Sequence, residues 1–440
     1  MELCRECCRI SHMVKFVLCL AIFASSAGVL AQNVTGEWNF QLFQFGDESA
    51  RALLVLKADG EKVSGTLNEL KLEGTVRGDS LILEAIRPDG KPFGELRAEI
   101  SGESITGQMK CSPREDTMCE WKATRIDTAA HKPHTYVFAP THYVRLFSGS
   151  EKPVLHIRSG DTVITSTVDA GGFDAKGTPR ALGGNPQTGP FFIEGALPGD
   201  TLAIRIDRLR LNRDTAFSGG TIVPSALTGE YNRNARYKNF DSTWTLDRGH
   251  GTAGLTHPTD RLKNFRVETR PMLGCIAVAP ARNEAFRTAW LGPWGGNLDY
   301  NKIREGTTVY LPVMQQGALL FVGDAHALEG DGELNGDALE ASMDLVFTVQ
   351  LIRGQSIDGP RFEDSEYIMA SGIAGSLKEA LQQATTELAL WIEKDYKLSP
   401  NESNVVLGAA MEYDIAEVVD PQYHVVAKIR KSVLATLAAK

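Results

Sequence analysis

No Gly-x-Ser-x-Gly stretch occurs in the 440 residues, so the strand-to-helix elbow that presents a nucleophilic serine is missing, and Ser342 and Ser371 read as plain surface. Long apolar runs are missing too. The longest near the start, Phe16 to Phe23, falls short of the roughly 20 residues a membrane span needs. Basic runs are absent beyond the N-terminus, and the formal charge of −9 disfavours nucleic acid or an anionic membrane as partner. Cysteine is scarce: Cys4, Cys7, Cys8 and Cys19 crowd the start, leaving Cys111, Cys119 and Cys275. Cys4, Cys7 and Cys8 set no metal-ligand pattern, because Met13 reads as a better start than Met1. Lys15, the apolar run and Val29-Leu30-Ala31 before Gln32 together make a secretory signal peptide over residues 1–31. The chain is therefore expected to be exported, periplasmic or secreted, without a membrane anchor. In that compartment Cys111 and Cys119 are placed to close a hairpin disulfide, while Cys275 reads as a small buried hydrophobe.

At this length two folded units are expected. Over residues 32–126, short alternating stretches such as Ala52 to Leu56, Val63 to Leu67 and Ser80 to Leu83 are broken by Asp59-Gly60, Gly78-Asp79 and Asp89-Gly90. That spacing predicts a small antiparallel β-barrel, an accessory module with a spacer role. Residues 127–136 have linker composition, and His131 and His134 read as solvated linker residues. Residues 137–440 are again strand-rich. Helices come late: Ser376 with Glu379, then Ser399-Pro400-Asn401-Glu402, open two helices by capping boxes. Leu377, Ala380, Leu381, Ala384, Leu388 and Trp391 form the expected packing stripe of the first. The fold class is mainly β with a late helical hairpin. Residues 213–262, rich in Gly, Thr, Asn and Arg, predict a long connection serving as lid or subunit contact. His250 and His257 within it read as structural or solvent-facing.

The densest chemistry lies between Gly323 and Glu333, where Asp324, His326, Glu329, Asp331 and Glu333 follow the apolar run Gly317 to Val322. Alternation along a strand puts Asp324 and His326 on one side of the backbone. Such a pair suits a divalent metal, Zn²⁺ first and Ca²⁺ second. An acidic surface turn with a stray histidine explains the same letters. The segment resembles the acetamidase/formamidase family, whose pattern runs close to Gly-Asp-x-His-Ala-x-x-Gly-Asp-Gly-Glu. Further blocks resemble that family in the same order: Asn185 to Asp200, Pro271 to Pro280, Gly292 to Asp299, and Val419-Asp420-Pro421. The resemblance covers about residues 137–440 and implies a self-associating hydrolase of small linear amides. Export, the extra barrel and Glu329, where relatives carry an uncharged residue, depart from it.

An amide hydrolase must sharpen a water, polarise a carbonyl and deliver a proton. Asp324, His326 and the strand-end Asp169 are the expected metal ligands, although Asp169 also reads as a turn residue. Glu194 or Glu333 is the expected general base, Glu194 because it follows the apolar Phe191 to Ile193; pairing with a buried Arg explains Glu194 equally well, and bracing a metal ligand is the other reading of Glu333. Asn297, with Gly295, Gly296 and Asp299, is expected to face the substrate and its developing oxyanion; a plain turn explains the same glycines. The expected function is metal-assisted hydrolysis of a formamide- or acetamide-like bond. The rival is a non-catalytic, metal-dependent ligand-binding protein on the same fold.

Overall fold

The computed structural model describes residues 33–111, 117–127, 131–282 and 284–437. The signal peptide and both candidate start methionines lie outside the described residues. Eight antiparallel strands between Gly36 and Arg125 close into a barrel, the first, Gly36–Gln44, pairing with both Asp47–Asp59 and Met118–Arg125. Its turns are the Gly-containing pairs of the sequence, with Gly60, Gly78, Gly90 and Gly102 all at positive φ, where a side chain would be strained. Alternation sends Leu54, Leu56, Leu72, Leu81, Leu83, Trp38 and Trp121 inward, so that packed side chains fill the interior. Cys111 and Cys119 are joined in a disulfide.

The larger unit packs a six-stranded sheet against a nine-stranded one across a single apolar core that includes Phe147, Phe191, Phe321, Leu345 and Phe347. Strand Leu320–His326 is central in the six-stranded sheet, flanked antiparallel by Gln187–Ile193 and Met272–Ala277. All seven of its residues are buried. Both faces being covered explains its near-continuous apolar sequence. Helix Leu377–Tyr396 docks on the strands Tyr367–Ala374 and Tyr423–Arg430 through Ala380, Ala384, Leu388 and Ile392. Leu377 and Leu381 are each 41% exposed, so the packing stripe is narrower than expected and turned toward Ile392. Gly372 sets that orientation: a Cβ there would stand 1.8 Å from the Ala380 carbonyl. Helix Pro400–Ala410 begins with the expected capping box.

Two loop expectations change. His131 is no solvated linker residue, because its Nε2 lies 2.6 Å from a carboxylate oxygen of buried Asp161, which also accepts from the His134 amide. The stretch read as a long connection folds into a four-stranded sheet, Thr215–Phe217, Thr243–Asp247, Thr252–Leu255 and Val267–Glu268. Trp244, Leu246 and Leu255 of that sheet pack on Ala327, Leu339 and Ala341, and so cover the acidic segment. His250 and His257 are exposed and pair with Asp247 and Asp241.

Candidate active site

At the end of strand Leu320–His326 the ladder to Met272–Ala277 holds at Cys275–Gly323, Leu273–Ala325 and Met272–His326, and skips Gly274–Asp324. The skip follows from Asp324, whose φ of 52° is left-handed. Plain alternation therefore does not describe this strand end, yet His326 Nε2 and Asp324 Oδ1 stand 3.7 Å apart. Glu340 Oε1 lies 3.2 Å from the same nitrogen. On the other side of the ring, Nδ1 lies 2.9 Å from Glu329 Oε2. Two groups of three have their ligand atoms within 4.8 Å of one another: Asp299, His326 and Glu329, and Asp324, His326 and Glu340.

Asn185, Asp299, Asp324 and Glu333, at φ 54°, 39°, 52° and 45°, all occupy backbone that L-residues avoid. Asn and Asp tolerate it better than Glu does. Strain of this kind costs on the order of 1–3 kcal/mol per residue and persists where the surroundings over-determine it, as at functional sites. Room for the carboxylates comes from Gly274: a Cβ there would meet Asp299 Oδ1 at 2.4 Å and Asp324 Oδ2 at 2.9 Å.

The electrostatics are lopsided. Asp299, Asp324, Glu329, Glu333 and Glu340 are each at most 6% exposed, around one imidazole. Both Asp299 oxygens, Asp324 Oδ1, Glu329 Oε1, Glu340 Oε2 and His326 Nε2 have no hydrogen-bond partner among the described residues. Buried charge without a partner is costly, so such groups bind protons or a cation. Burial pushes Glu329 and Glu340 each up to about 7. Burial, then the neighbouring Glu333 and Asp324, carries Asp299 well above the ordinary carboxylate range. Burial raises Glu333 too. For His326 burial opposes the charged form, but Glu340, Asp324 and Glu329 outweigh it and lift the imidazole well above its usual value.

A polar network braces the cluster. Asn185 Nδ2 donates to Asp324 Oδ2 and to Asn297 Oδ1, and Asn297 Nδ2 donates to Asp420 Oδ2 at 2.8 Å. Cys275 Sγ donates to Asn297 Oδ1; burial raises its thiol pKa, which keeps it a donor rather than a nucleophile. Asn297 is thus committed on all sides and positions its neighbours. Glu417 accepts from the Val419 and Asp420 amides, and burial followed by Asp420 pushes it up to about 9.

Several expected site residues lie elsewhere. Asp169 is not with the cluster: Arg213 Nη1 neutralises it at 2.6 Å, both side chains buried. Arg213 also donates to the Glu340 carbonyl, so the pair buttresses the site from behind. Glu194 sits at the far end of strand Gln187–Ile193, half exposed and paired with His156 at 2.7 Å. Gly295 and Gly296 are paired on both sides in the sheet. Their missing side chains let strands approach, since a Cβ would meet the Ile276 and Trp290 carbonyls. Asp299 joins the carboxylates rather than a separate binding loop. Ser342 and Ser371 are buried, bonded to Asn212 and to His424. Sequence reasoning missed Glu340, Asn185, Asp420 and Glu417.

A cavity of about 230 Å³ lies beside this cluster, lined by Glu329 and Glu333 together with Asp331, Asp337, Trp244, Leu328, Leu334 and Leu339. Glu333 Oε1 is held there by the Ala338 amide at 3.0 Å. Residues 281–426 match the Acetamidase/Formamidase family. A Schizosaccharomyces pombe protein with the provisional name formamidase is 23% identical over 244 residues, which are 42% of this chain and 60% of that one. The chain thus spans three fifths of that curated relative. Two crystal structures share the fold. A recombinant predicted acetamidase/formamidase of Thermoanaerobacter tengcongensis superposes with a TM-score of 0.58 and 26% identity, covering 70% of this chain and 99% of its own. An acetamidase of Yersinia enterocolitica gives 0.59 and 27%, covering 71% and 96%.

Proposed function

We propose that this chain is an amidase that hydrolyses the C–N bond of a small linear amide to carboxylate and ammonia, with a divalent cation held by Asp324, His326 and Glu340 beside Asp299. The carrying observation is the set of buried carboxylate oxygens around His326 that have no hydrogen-bond partner among the described residues. One imidazole among carboxylates suits Zn²⁺ before Ca²⁺, since imidazole is a poor ligand for hard cations. When bound, such an ion polarises a carbonyl and acidifies water.

The chain's own groups supply the rest. Glu329 fixes the imidazole ring through Nδ1, leaving Nε2 directed at the shared space between Asp324 and Glu340. Glu333 faces the cavity and, with its raised pKa, carries the proton that the departing amine needs. Asn185 and Asn297 keep Asp324 in register. Leu334 and Trp244 line the same cavity as Glu333. The Cys111–Cys119 disulfide supports export, because such bonds persist in oxidising compartments.

Ammonia release from acetamide and formamide, measured alongside metal content, tests this reading. Asp324→Asn is the diagnostic variant, since Asn tolerates the left-handed backbone while removing the charge. It is expected to lose bound metal and at least 100-fold in kcat/KM, an order typical of a ligand loss, while melting as a folded protein. Full hydrolysis by chelated enzyme in metal-free buffer removes the cation, and silence of the metal-loaded wild type on every primary amide removes the enzyme.

A further inference from the structure

The 230 Å³ cavity is far larger than formamide or acetamide requires, and its lining combines large apolar side chains with carboxylates. A liquid water occupies about 30 Å³, so the space holds roughly seven or eight heavy atoms, against three or four in the smallest amides. Trp244, Leu328, Leu334 and Leu339 line it, and no Lys or Arg does. The Trp244 ring is fixed in place: its Nε1 donates to Ser218 Oγ at 3.0 Å, and Phe265 meets it edge-on. Leu339 and Trp244 belong to one packed cluster with Ala327 and Ala341, directly beside His326 and Glu340.

Resting on the amidase reading, we propose that the substrate is a neutral primary amide whose acyl group is an unbranched apolar chain of about six carbons, with Trp244 and Leu334 as its specificity-determining contacts. The carboxamide lies at the Glu329–Glu333 floor and the alkyl chain against the indole and leucine walls. An anionic tail is disfavoured, because Asp331 and Asp337 also line the cavity without a cation. A pocket matched to apolar atoms gains about fourfold in kcat/KM per methylene added. Between acetamide and hexanamide that compounds to on the order of 100-fold.

The experiment compares kcat/KM of the metal-loaded full chain on formamide, acetamide, butyramide, hexanamide and the monoamide of adipic acid. Values rising to hexanamide, with the adipic monoamide at least tenfold below it, are expected. Leu334→Asn, at a position 41% exposed and so safe for folding, is expected to cut the hexanamide-to-acetamide ratio about tenfold, chiefly through KM. Trp244→Phe, which keeps most of the packing, should lower the ratio in the same direction. Hydrolysis of formamide and acetamide with no gain on lengthening overturns the inference alone, as does a Leu334→Asn ratio equal to wild type. No ammonia from any member of the series overturns the amidase reading and this inference with it.

Discussion

Gly274→Ala isolates the demand the site makes on its scaffold. The new methyl would stand 2.4 Å from Asp299 Oδ1 and 2.9 Å from both the carbonyl oxygen and Oδ2 of Asp324. Non-bonded heavy atoms settle near about 3.5 Å, so Asp299 must retreat by about 1 Å. Asp324 cannot retreat with it, since Asn185 holds Oδ2 and the strand is buried on both sides. Overpacking of this kind costs roughly 1–3 kcal/mol of stability. A 1 Å misplacement of catalytic groups costs on the order of 100-fold in rate. The assay is metal content by elemental analysis, kcat/KM on acetamide, and melting temperature on one preparation. Gly408→Ala is the control: it lies in helix Pro400–Ala410 with nothing near its Cβ position, and should leave activity alone. A Gly274→Ala protein with wild-type metal content and wild-type kcat/KM would show that Asp299 and Asp324 do not share a ligand, and the reasoning fails there.

Arg213→Met strands the Asp169 carboxylate in the interior, and breaking a buried pair from one side costs about 3–5 kcal/mol; urea midpoints within error of wild type would contradict it. Gly372→Ala drives a methyl into the Ala380 carbonyl and should loosen helix Leu377–Tyr396 by at least about 1–3 kcal/mol, read as faster amide exchange across that helix; unchanged protection would count against the packing argument. His424 is fully buried and neutral, and burial lowers it to about 4 from the ordinary 6.5. A depressed folded value stabilises above the unfolded value and loses that contribution as pH falls toward 4, a change of ~3 kcal/mol. The carboxylates with raised values act in the opposite sense. The comparison is therefore wild type against His424→Gln, whose stability difference should narrow between pH 7 and pH 4; a constant difference would refute the assignment.

Local patterns made the barrel, the late helix starts and the Asp324–His326 pair legible, because each is written within a few residues. Partners distant in sequence were not. Asp169 carried every mark of a strand-end ligand, and nothing near it announces Arg213. Glu194 and Glu340 show the weakness of reasoning from apolar neighbours alone. Glu194 follows Phe191 to Ile193, but it is the first residue past the strand and turns out to His156. Glu340 stands among Ala338, Leu339 and Ala341 and is bridged to both Phe217 and His326, which turns it inward. Asn185 and Asp420 did lie in stretches resembling the family. Their roles emerge only where the Asn185–Asn297–Asp420 chain of hydrogen bonds closes. The left-handed Asp324 was illegible as well, since propensity describes ordinary residues and this one is held against its preference.

Strand Gln187–Ile193 also sets how far the barrel junction stands from the carboxylates. Its Gln187 end pairs with Gly323, beside Asp324. Its other end leads to Glu194 and Gly195, where Ile126 and Arg353 lie close and Arg353 binds Glu37 of the barrel at 2.7 Å. Seven strand residues at about 3.3 Å each put roughly 20 Å between the barrel junction and the carboxylates. With a filled interior, the barrel offers no lumen through which to reach them either. The site is enclosed instead by the sheet folded from residues 215–268, whose Trp244 and Leu255 share a core with Ala327 and Leu339. The acidic loop is thus covered by the segment whose composition looked least structured, because the few apolar residues of that segment pack on the loop rather than into a core of their own.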